Sequence, residues 1–225
     1  MTQNENRLDK SNYIKSLSLV QDDFSIKQYI KKLDRRWLTI GLNIGYLTCD
    51  RTVSGDEVFT PFYAVEPLLK YIPKDAVIWC PFDEEWSAFY QTFKKNGYKV
   101  IRSSIREGQD FFEYEPNEKY DVIISNPPFS KKDKVLKRLD KLNKPFAILL
   151  PLNSLQGKSR YKVFKNGIQL LTFDARVDFH TNFNMKTYTK GNHFASAYFC
   201  RNVLPKDLIV EKLHKYEKEL ITDNT

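Results

Sequence analysis

Asn126-Pro127-Pro128-Phe129 is the stretch of the chain best equipped for chemistry. Two consecutive prolines fix the backbone and remove two N–H donors, leaving their carbonyls as acceptors in a rigid turn. Asn126 adds a side-chain amide oxygen, a further acceptor, and Phe129 adds an aromatic face. An aromatic amine is a poor nucleophile because its lone pair is drawn into the ring. Two fixed acceptors, the Asn126 oxygen and the Pro127 carbonyl, would hold its two hydrogens. They would also favour the positive charge that grows on nitrogen as it attacks a methyl group. Preorganised dipoles aimed at developing charge are a large catalytic contribution, and lining nitrogen up with the methyl adds an orientational one. Neither a metal nor a covalent nucleophile is required.

Such a turn works only where the fold holds it. The apolar run Asp121–Ser125 directly before it reads as a strand, and in an open α/β sheet ligands bind at the carboxyl ends of strands. Ala76–Cys80, Tyr98–Ile101 and Phe146–Leu150 read as further buried strands. Ala64–Tyr71, Glu84–Asn96 and Val135–Leu142 read as helices, the second ended by Gly97. Continuous apolar strands alternating with helices predict a parallel sheet covered on both faces. Later in the chain Gln169–Phe173, Arg176–Phe179 and Phe194–Arg201 read as strands. The last two would make an antiparallel hairpin at the sheet edge, joined by Thr181–His193. Residues 206–219 read as a terminal helix through Leu208, Ile209, Leu213 and Tyr216. Residues 1–55 read as an N-terminal helical extension ahead of a domain over 56–225. Its helix opens at Ser25, with Gln28 three positions on as in a capping box. Ile26, Ile30, Leu33, Trp37, Ile40 and Ile44 mark its apolar stripe. That stripe docks either on the main domain or on a second subunit, the latter giving a homodimer.

The strand followed by Asn-Pro-Pro-Phe resembles the fourth motif of the amino-methylating, adenine-specific DNA methyltransferases, which is Asp, Asn or Ser, then Pro-Pro, then Tyr or Phe. Other pieces fall in that family's order over residues 58–201. Thr60-Pro61 resembles the motif that contacts the methionine part of the cofactor, and otherwise is an ordinary helix start. Ile78-Trp79-Cys80-Pro81-Phe82-Asp83 resembles the first cofactor motif. Asp110-Phe111 stands where the family places an acid against the cofactor's adenine. The resemblance implies a Rossmann-like methyltransferase sheet of seven strands with a reversed hairpin, S-adenosylmethionine as cofactor, and methyl transfer to the N6 amine of a flipped adenine. Two departures resemble a short phage-type branch. The Gly-rich turn of the first motif is replaced by Asp83-Glu84-Glu85, so that Asp83 either accepts from the methionine ammonium or caps the following helix. The acid that normally ends the second strand and binds ribose is replaced by Arg102-Ser103-Ser104.

Charge fits a polyanionic substrate: 36 Lys+Arg against 28 Asp+Glu give +8 over 225 residues. Lys131, Lys132, Lys158 and Arg160 form a candidate phosphate track. Lys186 and Lys190 lie in a loop whose amides and aromatics suit base reading. DNA is the expected partner ahead of RNA. The alternatives in the same geometry are an RNA adenine, a protein glutamine amide, or a nucleic-acid-binding protein that has lost its cofactor. Three scattered cysteines and three histidines have no metal-ligand spacing, so no metal is expected. There is no apolar run of membrane length, and the polar first residues lack the apolar stretch of a signal peptide. The expected location is the cytoplasm, away from any membrane.

Overall fold

The computed structural model describes residues 58–180 and 194–215. The helix expected from Ser25, the 1–55 extension, the Thr181–His193 loop and its Lys186 and Lys190, and the last ten residues lie outside the described part.

Seven strands build one sheet: β1 Val77–Cys80, β2 Lys99–Arg102, β3 Val122–Ser125, β4 Phe146–Pro151, β5 Gln169–Phe173, β6 Ser196–Arg201 and β7 Leu208–Glu211. Their order across the sheet is β2-β1-β3-β4-β6-β5-β7. β1 pairs parallel with β2 and β3, and β3 with β4. β6 runs antiparallel to both β4 and β5, and β7 returns parallel to β5. Six strands therefore share one direction and β6 alone is reversed. The result is a Rossmann-like mixed α/β sheet, with the strand number that the sequence resemblance implies.

Strand side chains alternate between the two faces, which splits the core in two. Ile78, Cys80, Ile124, Ala147, Leu149, Tyr198 and Cys200 pack on one side with Tyr63, Phe89 and Phe93. These last come from two helices, α1 (Phe62–Val65) and α2 (Ala88–Lys95). Trp79, Ile123, Phe146, Ile148, Ala197 and Phe199 pack on the other side with Val135, Leu136, Leu139 and Val163. Those are carried by α3 (Lys132–Leu142) and α4 (Lys158–Phe164). Burial of both faces explains why the central strands are apolar at every position rather than at every second one.

Several elements depart from the sequence reading. The first helix is α-helical only over α1 and continues as a 3₁₀ helix, Glu66–Lys70. Pro67 has no N–H to give to the carbonyl four residues back, so the α ladder ends there. The helix expected at Glu84–Asn96 starts at Ala88. Before it, the Ser87 N–H donates to the Glu84 carbonyl and the Glu84 N–H to Ser87 Oγ, a tight turn that occupies 84–87. Gly97 ends the helix at φ +81°, as expected.

Arg176–Phe179 is not a strand, and the reversed strand lies inside the sheet rather than at its edge. β6 is already paired on both sides by β4 and β5, which leaves no ladder for 176–179. That segment instead leads to a single bridge between His180 and Phe59. The terminal helix is also replaced, by β7. Leu208 and Val210 are 58% and 63% exposed, while Ile209 between them packs against the core. This period of two suits a strand covering the edge of β5. No helix among the described residues is long and apolar enough to cross a membrane.

Candidate functional site

The chain leaves β1 toward β2 on one side and returns to place β3 on the other. The carboxyl ends of β1 and β3 therefore flank the point where strand order reverses, the usual crevice of an open α/β sheet. Both expected chemical segments, Phe82-Asp83 after β1 and Asn126-Pro127-Pro128 after β3, border this crevice.

The crevice has two chambers that share Val58, Phe59, Phe82, Trp86, Ser87 and Asn126. The inner one, about 40 Å³, is bounded further by Thr60 and Asp83. The outer one, about 230 Å³, is bounded further by Glu84, Ser104, Ile105, Arg106, Pro127 and Pro128. Its walls are flat and apolar in part. The Phe59 and Trp86 rings meet edge to face at 5.0 Å, and Ile105 stands 61% exposed.

Asn126 is oriented by its neighbour. Its Nδ2 donates to the Val58 carbonyl at 3.2 Å, which turns Oδ1 the other way. Oδ1 is buried and has no hydrogen-bond partner among the described residues. Val58 is itself held in place, because the next residue, Phe59, exchanges two backbone hydrogen bonds of 2.9 Å with His180. Thr60 is buried beside them, and its Oγ1 also lacks a partner.

Asp83 is only 4% exposed. It accepts from Ser125 Oγ at 2.5 Å, a bond that joins the end of β3 to the end of β1. Burial is the main cause that pushes its carboxyl up to about 7. Hydrogen bonds from Ser125 and Ser87 offset this only in part, and the charge of Glu84 adds to it. The helix-cap alternative does not hold: the residue at the α2 N-cap is Ser87. Asp83, Thr60 and Asn126 thus border the inner chamber together, and Thr60 Oγ1 and Asn126 Oδ1 are buried there without a hydrogen-bond partner among the described residues. A donor-rich ammonium or amine suits such a lining.

The remaining candidates are dispersed. Pro61 is the buried residue before α1. Cys80 faces the helix-covered core, with its thiol pushed well up by burial, and Pro81 is buried beside it. Asp110 lies outside the crevice lining, where its Oδ1 accepts from the Phe112 N–H at 3.0 Å. Arg138 fixes the same loop by donating to the Phe112 and Tyr114 carbonyls. Phe111 is buried between Trp79 and Phe82. Phe129 is half-buried and packs edge-on against Phe179 and Phe194.

Among the basic residues, Lys131 and Lys158 are exposed. Lys132 donates to the Phe129 carbonyl. Arg160 is committed to an ion pair with Asp133 at 2.5 Å, and Ser159 bonds the other carboxylate oxygen. Among the described residues no group of His, Cys, Asp and Glu forms a metal-binding cluster.

Reading the sequence alone missed Ser125, Ser87, Glu84, Ser104 and Trp86. Ser125 was visible only as the last letter of a strand. Glu84 and Ser104 meet across the ends of β1 and β2, with the Ser104 hydroxyl donating to Glu84 Oε1 at 2.6 Å. A pair separated by twenty residues has no local signature. The one available signal was positional: both lie in the loops that follow strand ends.

No family model matches the chain, and no curated protein matches it. Among solved structures, a Listeria monocytogenes protein described as a class I S-adenosylmethionine-dependent methyltransferase aligns at 12% identity with a TM-score of 0.41, over 86% of this chain and 77% of that one. The methyltransferase subunit of a type I restriction-modification system from Streptococcus thermophilus aligns at 12% identity with a TM-score of 0.42, over 80% of this chain. The alignment spans 55% of the subunit's length.

Proposed function

We propose that the protein transfers a methyl group from S-adenosylmethionine to the exocyclic N6 amine of adenine in DNA, with the base turned out of the duplex into the crevice beside Asn126. One observation carries this reading: Asn126 Oδ1 is a buried acceptor, fixed in direction by the Val58 carbonyl and left without a partner. Leaving such a group unpaired costs about 1–3 kcal/mol, so the site is poised for an incoming N–H. The adjacent proline pair makes the turn rigid, which keeps the acceptor in place while charge develops on the amine.

The residues present fit S-adenosylmethionine. The inner chamber presents the Asp83 carboxylate and the Thr60 hydroxyl to its ammonium, and the outer chamber offers apolar walls to a nucleoside. When bound, that cofactor supplies an electrophilic methyl group. Asn126 Oδ1 and the Pro127 carbonyl hold the two amine hydrogens and direct the nitrogen lone pair away from the ring. Phe82, Trp86 and Ile105 exclude water. Phe129 is assigned to the face of the flipped base. Lys131 and Lys158, with Lys186 and Lys190, meet backbone phosphates. The net charge of +8 favours nucleic acid over a protein loop as the source of the amine.

The test is to incubate the purified protein with methyl-labelled S-adenosylmethionine and, separately, unmethylated duplex DNA, RNA and a glutamine-bearing peptide. Label on the adenine of DNA is the expected result. Label on RNA or peptide would move the substrate. Nucleic-acid binding with neither cofactor binding nor transfer to any of the three would replace the enzyme by a non-catalytic binding protein.

A further inference from the structure

We infer that Glu84, held by Ser104, is the acceptor for the paired hydroxyls of a ribose in the outer chamber, and so makes the crevice selective for a ribonucleoside ligand. The inference rests on the proposed use of an adenosyl cofactor and assigns a residue to one part of it.

Glu84 follows β1 and Ser104 follows β2, and both border the 230 Å³ chamber. The Ser104 hydroxyl spends its proton on Glu84 Oε1 at 2.6 Å and accepts the Arg106 N–H at 3.2 Å. Ser104 is thereby saturated as a donor, and its role is to fix the carboxylate. The bond from Ser104 to Oε1 is the one that fixes the Glu84 carboxylate. The result is a half-buried carboxylate, pinned at one oxygen, at the mouth of a chamber walled by Phe82, Trp86 and Ile105.

Two ligand chemistries satisfy a carboxylate there, an ammonium or a vicinal diol. The division of the crevice decides between them. The small inner chamber already holds Asp83 beside Thr60, and only a compact group such as an ammonium fits 40 Å³. The wide chamber takes the ring system. Two O–H groups on adjacent carbons match the lone pairs of one carboxylate, and the ring they belong to lies against the apolar walls. The arrangement also accounts for a peculiarity of this chain. β2 ends in Arg102-Ser103-Ser104 and offers no acid of its own, so the acid reaches across from the end of β1.

Calorimetry with S-adenosylhomocysteine and its 2′-deoxyribose and 3′-deoxyribose analogues tests this without turnover. Wild type should lose roughly tenfold or more in affinity for each missing hydroxyl, because hydrogen bonds to a charged acceptor are strong. Glu84→Ala should bind S-adenosylhomocysteine about as weakly as wild type binds the deoxy analogues, and should no longer distinguish the three ligands. Glu84→Gln, which keeps the size and one acceptor, should fall between, with a melting temperature close to wild type. Ser104→Ala should weaken discrimination by freeing the carboxylate. Equal wild-type affinity for all three ligands would overturn the assignment, as would discrimination that survives in Glu84→Ala. Failure of wild type to bind S-adenosylhomocysteine at all would overturn the cofactor reading itself, a result distinct from binding without discrimination.

Discussion

Ser125 Oγ lies 2.5 Å from Asp83 Oδ2 and donates to it, closing the ends of β3 and β1 onto each other within the core. Because Ser125 precedes Asn126, the residue proposed to hold the cofactor's ammonium is tied directly to the turn proposed to hold the amine. Ser125→Ala should therefore disturb both ends. Burial would then push Asp83 higher still, cofactor affinity at neutral pH should drop several-fold, and turnover should fall with it. Calorimetry and transfer rate on the same variant check this. Loss of rate with full affinity would separate the two roles.

Asp83 makes stability depend on pH. Its carboxyl is raised from 3.8 to about 7, burial being the largest cause. Between those values the folded chain keeps a proton that the unfolded chain has released. Stability from this group is thus fully present below 3.8 and is lost as pH rises through about 7. The ligand-free protein should melt lower at pH 8 than at pH 5 on this account, and Asp83→Asn should raise the melting temperature at pH 8 and flatten the slope. A slope unchanged in Asp83→Asn would assign it to other groups.

The same titration sets the cofactor's pH dependence. Only ionised Asp83 pairs with an ammonium, so affinity should climb about tenfold per unit below pH 7 and level off near it. In Asp83→Asn the affinity should be weaker and almost independent of pH over that range. Affinity that is flat in wild type would place the ammonium elsewhere.

Nucleic-acid affinity should fall steeply with salt as counterions are released. Lys131→Ala with Lys158→Ala should flatten that dependence by up to about two phosphate contacts, and removing Lys186 and Lys190 should flatten it further. Arg160→Ala should behave differently, because its guanidinium is spent on Asp133 and bridges α4 to the start of α3. Its effect should be on melting temperature rather than on the salt slope. A flattened slope in Arg160→Ala would return it to the phosphate track.

The sheet was legible because it is buried on both faces. Val122–Ser125 and Phe146–Pro151 are buried throughout and apolar but for Ser125, and the turn after β3 carries its own chemistry in Asn126 and two prolines. Less legible were elements whose fate is settled by neighbours. Leu208, Ile209 and Leu213 suit a helix by spacing, and only the open edge of β5 makes Leu208–Glu211 a strand. Arg176–Phe179 has strand-like residues and loses its partner to β5. Asp83 stood out, but the cap position belongs to Ser87, and its buried partner Ser125 is forty-two residues away. Glu84 and Ser104 each stood in a segment that departs from the family pattern, but nothing local in the sequence showed that they meet.

The central claim is that Asn126 Oδ1 receives an N–H of the amine. It is tested most directly by single-turnover transfer from labelled S-adenosylmethionine to adenine in unmethylated duplex DNA, comparing wild type with Asn126→Ala at saturating cofactor. The account predicts N6-methyladenine in the wild-type reaction and a rate at least roughly a hundredfold lower in the variant, as for loss of one preorganised polar partner, with cofactor affinity unchanged. A variant that transfers at the wild-type rate would contradict it.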